Sequence, residues 1–287
     1  MEVFAHIIEH ALIDTLRLVP FLFVTYLAME FFEHHSTEKS QAAIQKAGFA
    51  GPIVGALIGV VPQCGFSAAA ATLYAGRVIT LGTLIAVFLS TSDEMLPILI
   101  AEQAPISMVV KVLAIKVVIG MVAGFVIDLA LRRTHHDGDH RTHIHELCEE
   151  EHCDCSHGVL RSSLMHTLQV SFFIFLITLG LGAILHTGGE EILAEFMSGN
   201  PVFSVLAASL VGLIPNCAAS VAITELYLQG ILSAGAMIGG LLTSAGIGLL
   251  VLFRTNHSAQ ENLFIVALVF GIGVVAGLIC ILLGVTL

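Results

Sequence analysis

Charged residues are scarce in this 287-residue sequence, and tryptophan is absent. Only 11% of the residues are Asp, Glu, Lys or Arg, whereas soluble domains carry about 25% of them to cover their surface. The 11 basic residues are outnumbered by 22 acidic ones, so the sequence lacks the excess of basic side chains that binding to a phosphate backbone requires. These shortages exclude an ordinary water-soluble enzyme, a nucleic-acid-binding protein and a disordered chain.

Hydrophobic residues make up 56% of the chain and gather in long segments, several of which reach the roughly 20 residues that span a bilayer. Only helices and closed barrels satisfy the backbone in lipid, and the strand-like alternation of a barrel is absent. We therefore predict an all-α polytopic membrane protein of the cell (inner) membrane. The predicted apolar segments are 12–32, 48–76, 78–102, 106–131, 163–186, 201–228, 231–253 and 262–286.

The second half of the sequence repeats the first at a constant spacing of 153 residues. The run Gly59–Cys64 (GVVPQC) aligns with Gly212–Cys217 (GLIPNC), and Tyr74 then aligns with Tyr227 without a gap. Such an ungapped register is improbable by chance. We therefore predict two transmembrane repeats, 1–131 and 163–287, joined by a hydrophilic loop over 132–162.

Loop charges predict that the two repeats are inverted. The loop 33–47 contains Lys39 and Lys46, whereas its repeat equivalent, 187–200, contains three Glu and no Lys or Arg. Basic loops tend to face the cytoplasm, so equivalent loops would lie on opposite sides of the membrane. This arrangement needs an odd number of crossings in each repeat, which a broken or re-entrant helix supplies. It places 132–162 in the cytoplasm and leaves Lys111 as the chief exception.

Two proline breaks are the first candidate site. Pro62 and Pro215 each remove a helix hydrogen bond, and broken membrane helices are tolerated where they line a cavity or are buried in protein. Inverted repeats commonly bring such breaks together at a substrate site near the midplane. Amide oxygens are hard metal ligands and thiolates are soft ones. The alternative is that the cysteines pack as small hydrophobic side chains and the amides hydrogen-bond to the freed backbone carbonyl groups.

A run of hydroxyl and carboxylate side chains, Ser90-Thr91-Ser92-Asp93-Glu94, precedes Pro97 and is the second candidate. Intramembrane carboxylates are costly and are functional candidates by default. Glu225 of the second repeat is expected at a similar depth, so we predict that the three carboxylates converge as a cation or proton site. The predicted ion pathway comprises Gln63, Cys64, Ser67, Thr91, Ser92, Asp93, Glu94, Asn216, Cys217, Ser220 and Glu225.

The loop over 132–162 holds seven of the fourteen histidines and three of the six cysteines. Imidazole and thiolate groups bind divalent transition metals, but no regular Cys-x-x-Cys pair defines one tetrahedral site. A polar linker that binds metal only incidentally is the alternative. The predicted metal-binding residues are His135, His136, Asp137, Asp139, His140, His143, His145, Cys148, His152, Cys153, Cys155 and His157.

The paired motifs resemble a known family. The runs 62–70 (PQCGFSAAA), 90–94 (STSDE) and 215–220 (PNCAAS) are similar to those of the ten-span heavy-metal exporter family, whose members are also labelled arsenic efflux proteins or manganese transporters. The resemblance implies a secondary exporter of a metal or metalloid. It also implies ten spans, which would count broken or half-helices.

Three hypotheses for function follow. The leading one is a secondary exporter of a divalent ion (Mn, Zn, Co or Ni), with protons as the candidate coupling ion, because no Gly-x-x-x-x-Gly-Lys-[Ser/Thr] nucleotide motif occurs. The second is efflux of arsenite or an organoarsenical through Cys64 and Cys217. The third is a thiol–disulfide electron carrier. We expect no enzymatic activity, no resident cofactor and no nucleic-acid partner, and an oligomer in the bilayer is compatible with the sequence.

Overall fold

The computed structural model describes residues 50–62, 64–92, 95–134, 200–285 and 287, together with individual helical positions between 8 and 27 and between 160 and 179. All regular elements of this described part are helices, which confirms the predicted all-α class. The loop residues 135–159 lie outside it, as do Gln63, Asp93 and Glu94.

Ten helices are defined by their bounds, five on each side of the loop. The first five are α1 (Gly51–Gly59), α2 (Cys64–Ala75), α3 (Leu81–Ser90), α4 (Met95–Ala101) and α5 (Ile106–Thr134). The second five are α6 (Pro201–Gly212), α7 (Cys217–Leu228), α8 (Ala234–Thr243), α9 (Gly248–Thr255) and α10 (Ala259–Leu282).

The helix bounds recur at the spacing of 153 residues that the sequence shows. Helices α2 and α7 begin at Cys64 and Cys217, and α1 and α6 end at Gly59 and Gly212. The bounds of α3 and α8 are also 153 residues apart at both ends. Within 50–134 and 200–285, the two halves therefore show the same succession of four short helices and one long one.

The packing of the helices follows the same repetition. Helix α3 packs against α1 and α5, and its equivalent α8 packs against α6 and α10. Contacts between the halves include the equivalent pairs α2 with α9 and α7 with α4, and the two central helices α3 and α8 also contact each other. The side chains of α3 and α8 are almost all buried, so these two helices form the centre of the described structure.

Close backbone contacts hold each long helix against a central one. A Cβ atom built on Gly124 of α5 would lie 2.5 Å from the carbonyl oxygen of Gly82 in α3. The equivalent Cβ on Gly277 of α10 would lie 2.7 Å from the carbonyl oxygen of Gly235 in α8. Small residues allow membrane helices to approach this closely.

Four helical stretches among the described residues are long and apolar enough to cross a bilayer, judged by length and composition. The two central stretches, Leu81–Ile100 and Ala234–Thr255, are mostly buried, and each includes a break between two helices. The other two, Ile106–Leu131 and Ala259–Leu282, are mostly exposed. Large apolar side chains such as Val118 and Val275 cover their outer surfaces, as lipid contact requires.

An ionic cluster joins the two halves at one end of the molecule. Arg77, in the turn after α2, donates two hydrogen bonds of 2.7 and 2.9 Å to the carboxylate of Glu261 at the start of α10. The hydroxyl of Tyr74 also donates to Glu261, and the guanidinium lies 5.3 Å from the centre of the Tyr74 ring. The hydrogen bonds to Glu261 raise the pKa of Arg77 above its ordinary value.

We expect a double-mutant cycle at Arg77→Met and Glu261→Gln to give a coupling free energy of about 1 kcal/mol. The pair is bidentate, which favours it, but it is partly exposed to solvent, which limits its contribution. Thermal unfolding of the four proteins in detergent, followed by far-ultraviolet circular dichroism, measures this coupling. Strictly additive effects of the two substitutions would contradict the prediction.

Candidate functional site

Four breaks interrupt the helices of the described structure, two in each half. Both predicted proline breaks are confirmed, because α1 and α6 end ahead of Pro62 and Pro215 and new helices begin at Cys64 and Cys217. A second pair of breaks follows α3 and α8. The four breaks separate α1 from α2, α3 from α4, α6 from α7 and α8 from α9.

The second break of the later half, at 244–247, was not predicted from the sequence, which gave 231–253 as a single apolar segment. Ser244 leaves the helical conformation with ψ of 81°, and Gly246 has a positive φ of 56°. Glycine adopts this backbone conformation without steric cost. In the earlier half, Thr91 leaves the helix with ψ of 127°, and Pro97 lies in the first turn of α4, where a missing N–H costs little.

The breaks are in contact with each other. The hydroxyl of Ser92, in the second break, donates to the carbonyl oxygen of Val60, in the first break. Across the two halves, a Cβ built on Gly248, at the start of α9, would lie 2.8 Å from Cβ of Ser67 in α2. The second break of the later half therefore lies against α2 of the earlier half, whereas Val61 and Pro62 of the first break are exposed.

Several predicted pathway residues are buried close to the breaks. Ser67 and Ser92 are almost fully buried. Thr91 is buried as well, and its hydroxyl donates a hydrogen bond of 2.8 Å to the carbonyl oxygen of Val87. In the second half, Asn216 and Ser220 are buried as well. The structure thus places five of the predicted polar side chains inside an apolar protein, close to the helix ends.

The remaining predicted residues do not join them in the described structure. Glu225 lies on α7 with an exposed side chain, while its neighbour Thr224 is buried. Gln63, Asp93 and Glu94 lie outside the described residues, and so do the side chains of Cys64 and Cys217. The convergence of the three carboxylates therefore stays a prediction.

The metal-binding residues predicted in the loop also lie outside the described residues. Across the described helices and turns, no group of three or more His, Cys, Asp or Glu side chains is close enough to hold a metal ion. The metal-binding role of the loop therefore stays a prediction from composition.

A buried lysine that was not predicted as a site residue contacts the C-terminal ends of α3 and α8. Lys116 of α5 is 1% exposed, and its ammonium donates hydrogen bonds to the carbonyl oxygen of Thr91 and, at 2.7 Å, to that of Leu241. Thr91 caps α3 in the first half, and Leu241 lies in the last turn of α8 in the second. We call this place, formed by Lys116, Thr91 and Leu241, the junction.

The electrostatics of the junction suit a cation. The last four carbonyl groups of a helix lack partners within the helix, and the helix C-terminus carries a partial negative charge. Helices α3 and α8 both bring their C-terminal ends to the junction. An ammonium so far from water is costly unless oxygen atoms surround it, and these carbonyl oxygens supply part of that surrounding.

A signal for Lys116 was present in the sequence but weak. It is a basic residue inside the predicted membrane span 106–131, and intramembrane ionisable residues are functional candidates by default. Its carbonyl partners carry no residue-type signature, because any residue supplies a backbone oxygen. Lys111 is the charge exception in the predicted topology, yet its side chain is exposed.

One comparison with known proteins gave a match. The model of a family described as "Putative, 10TM heavy-metal exporter" matches residues 4–187 of the chain, which is more than half of its length. No curated protein and no solved structure matches this chain.

Proposed function

Because this chain belongs to the family described as "Putative, 10TM heavy-metal exporter", we propose that it exports a divalent transition or heavy metal ion from the cytoplasm as a secondary transporter. The apolar composition and the four membrane-length stretches agree with a multi-pass membrane protein. For a membrane transporter of this kind, the junction is the observation that favours a cation as the substrate.

The ammonium of Lys116 supports this choice because it is itself a cation held by carbonyl oxygens from both halves. Carbonyl and hydroxyl oxygens suit hard ions such as Mn²⁺, whereas imidazole and thiolate groups of the loop suit Zn²⁺, Co²⁺ or Ni²⁺. We propose that the loop collects metal in the cytoplasm and that the helix breaks pass it across the membrane. Asp93, Glu94 and Glu225 would supply carboxylates along the outward path.

The two halves are proposed to be inverted, so that their broken helices meet near the middle of the bilayer. Equivalent helices contact each other across the halves, which a two-fold relation would produce. Inverted repeats with broken helices are a recurring architecture of secondary transporters. Protons are the proposed coupling ion, because the sequence has no nucleotide-binding motif that would supply energy otherwise.

Expression in a metal-sensitive bacterial strain tests the proposed function. We expect the chain to raise growth tolerance and lower the cellular content of at least one of Mn, Zn, Co, Ni and Cd. In everted membrane vesicles, the same ion should accumulate and should release protons from the vesicle interior. Deletion of 135–157 should change the tolerance to Zn, Co or Ni more than the tolerance to Mn. A panel without any gain in tolerance would contradict the proposed function.

Arsenite in the same panel separates the metal hypothesis from efflux through paired cysteines. Neutral arsenite binds thiols and gains nothing from helix C-terminal carbonyls. We therefore expect no tolerance to arsenite, and we expect the Cys64→Ser/Cys217→Ser variant to keep most of its divalent-metal tolerance. Arsenite tolerance that this double variant abolishes would instead support the arsenical permease.

A further inference from the structure

The end of α8, which supplies Leu241 to the junction, also carries a buried hydroxyl without a partner. Ser244 caps α8 and is the repeat equivalent of Thr91, which caps α3. The Ser244 hydroxyl is buried and has no hydrogen-bond partner within the part of the chain that the structure describes. Buried polar groups are nearly always paired with protein, water or an ion, so this hydroxyl is free to serve as a ligand.

A second buried hydroxyl next to the end of α8 has the same property. The carbonyl oxygen of Ser209 accepts a hydrogen bond of 2.8 Å from Thr243, the last residue of α8. The hydroxyl of Ser209 itself is buried and unpaired among the described residues. Two unpaired hydroxyls therefore lie near the helix end that also supplies Leu241 to the junction.

The occupant of the junction comes from one half only. The repeat equivalent of Lys116 is Val269 of α10, a fully buried apolar residue. One ammonium thus lies between two helix ends that both favour positive charge. The ammonium is therefore a cation that the protein itself supplies to both helix ends, from α5 of the first half alone.

We propose that the junction is a cation-binding site and that Lys116 is its built-in competitor. This inference rests on the proposed function and adds the place at which the metal is exchanged. In the absence of metal, the ammonium binds the carbonyl oxygens of Thr91 and Leu241. A divalent cation displaces it and takes these oxygens together with the Ser244 hydroxyl. The returning ammonium then expels the metal, so that each transport cycle ends with the lysine back in place.

Binding of Mn²⁺ to the purified full-length protein tests the exchange. A competitor that fills a site for nine-tenths of the time weakens the apparent affinity about tenfold. We therefore expect Lys116→Met to bind Mn²⁺ at least about tenfold more tightly than the wild type, by titration calorimetry or by electron paramagnetic resonance. The same variant should lose export, because nothing expels the metal.

Lys111→Met is the matched control, since Lys111 lies on the same helix with an exposed side chain. It should bind and export Mn²⁺ as the wild type does. The histidine-rich loop is identical in all three proteins, so a difference between their isotherms reports on the junction. Lys116→Met protein that is folded and binds Mn²⁺ no more tightly than the wild type would overturn the proposal.

Ser244→Ala gives a second measurement for the case in which Lys116→Met does not fold. It removes one proposed ligand and leaves the lysine, so we expect Mn²⁺ affinity to fall several-fold with normal folding. Unchanged Mn²⁺ affinity in Ser244→Ala would then overturn the proposal. Wild-type cells without metal tolerance would contradict the proposed function itself, whereas intact export with unchanged binding in Lys116→Met would contradict the exchange site alone.

Discussion

Asp93→Asn is expected to reduce divalent-metal export by more than about tenfold, which corresponds to about 1.4 kcal/mol or more of lost stabilisation. Asp93 directly follows Ser92, whose hydroxyl binds the neighbouring break, and comes two residues after Thr91 of the junction. A carboxylate at this position in the chain can neutralise part of a divalent charge or carry the exchanged proton, and an amide of the same shape can do neither. Cellular metal content and growth tolerance measure the effect.

Glu102→Gln is the matched control for this change. Glu102 is an exposed acid just beyond the end of α4, in the same half of the chain. It should leave export unaltered for every ion in the panel. If Asp93→Asn cells keep the metal content of the wild type for all ions, the carboxylate is not part of the pathway and the proposed mechanism fails.

Gly124→Ala and Gly277→Ala are expected to destabilise the folded protein by about 1–3 kcal/mol each, the usual cost of overpacking. In each case the added methyl group would meet a backbone carbonyl oxygen, at 2.5 Å for Gly124 and 2.7 Å for Gly277. A backbone oxygen cannot turn away as a flexible side chain can, so the long helix must move off the central one. Yield in detergent and the midpoint of thermal unfolding report the change.

Gly271→Ala provides the control on the same helix as Gly277. Nothing lies within 4 Å of a Cβ built on Gly271, and alanine is favoured over glycine in a helix by about 0.5–1 kcal/mol. This variant should therefore match or exceed the wild type in thermal stability. Equal effects of Gly271→Ala and Gly277→Ala would show that the close contact between α10 and α8 does not limit stability.

The first pair of breaks was predictable because proline acts locally. Proline interrupts hydrogen bonding in the interior of a helix, as at Pro62 and Pro215. The repeated motifs around these two residues gave the register of 153 residues. Ser67 and Ser220 are buried, and their role in the ion pathway stays a prediction. Composition was sufficient for the helical class, since lipid leaves the backbone few alternatives.

The junction was not predictable in the same way. The break after α8 contains no proline and depends on the conformation of Ser244 and Gly246. Lys116 lies 25 residues from Thr91 and 125 from Leu241 along the chain, so no local pattern connects the three. Their meeting depends on the tertiary packing of α5 against the central helices, which a sequence pattern does not specify.

The presence of lysine at 116 and valine at 269 fixes the number of ammonium groups at the junction at one. A dimer of two identical half-length chains would hold either no ammonium or two at the place where α3 and α8 meet. With no ammonium, the site would have nothing to expel a metal ion once it had bound. With two, like charges would repel each other within one small apolar interior. Fusion of the halves into a single polypeptide permits an odd number, and a single ammonium is what the proposed exchange with one metal ion requires.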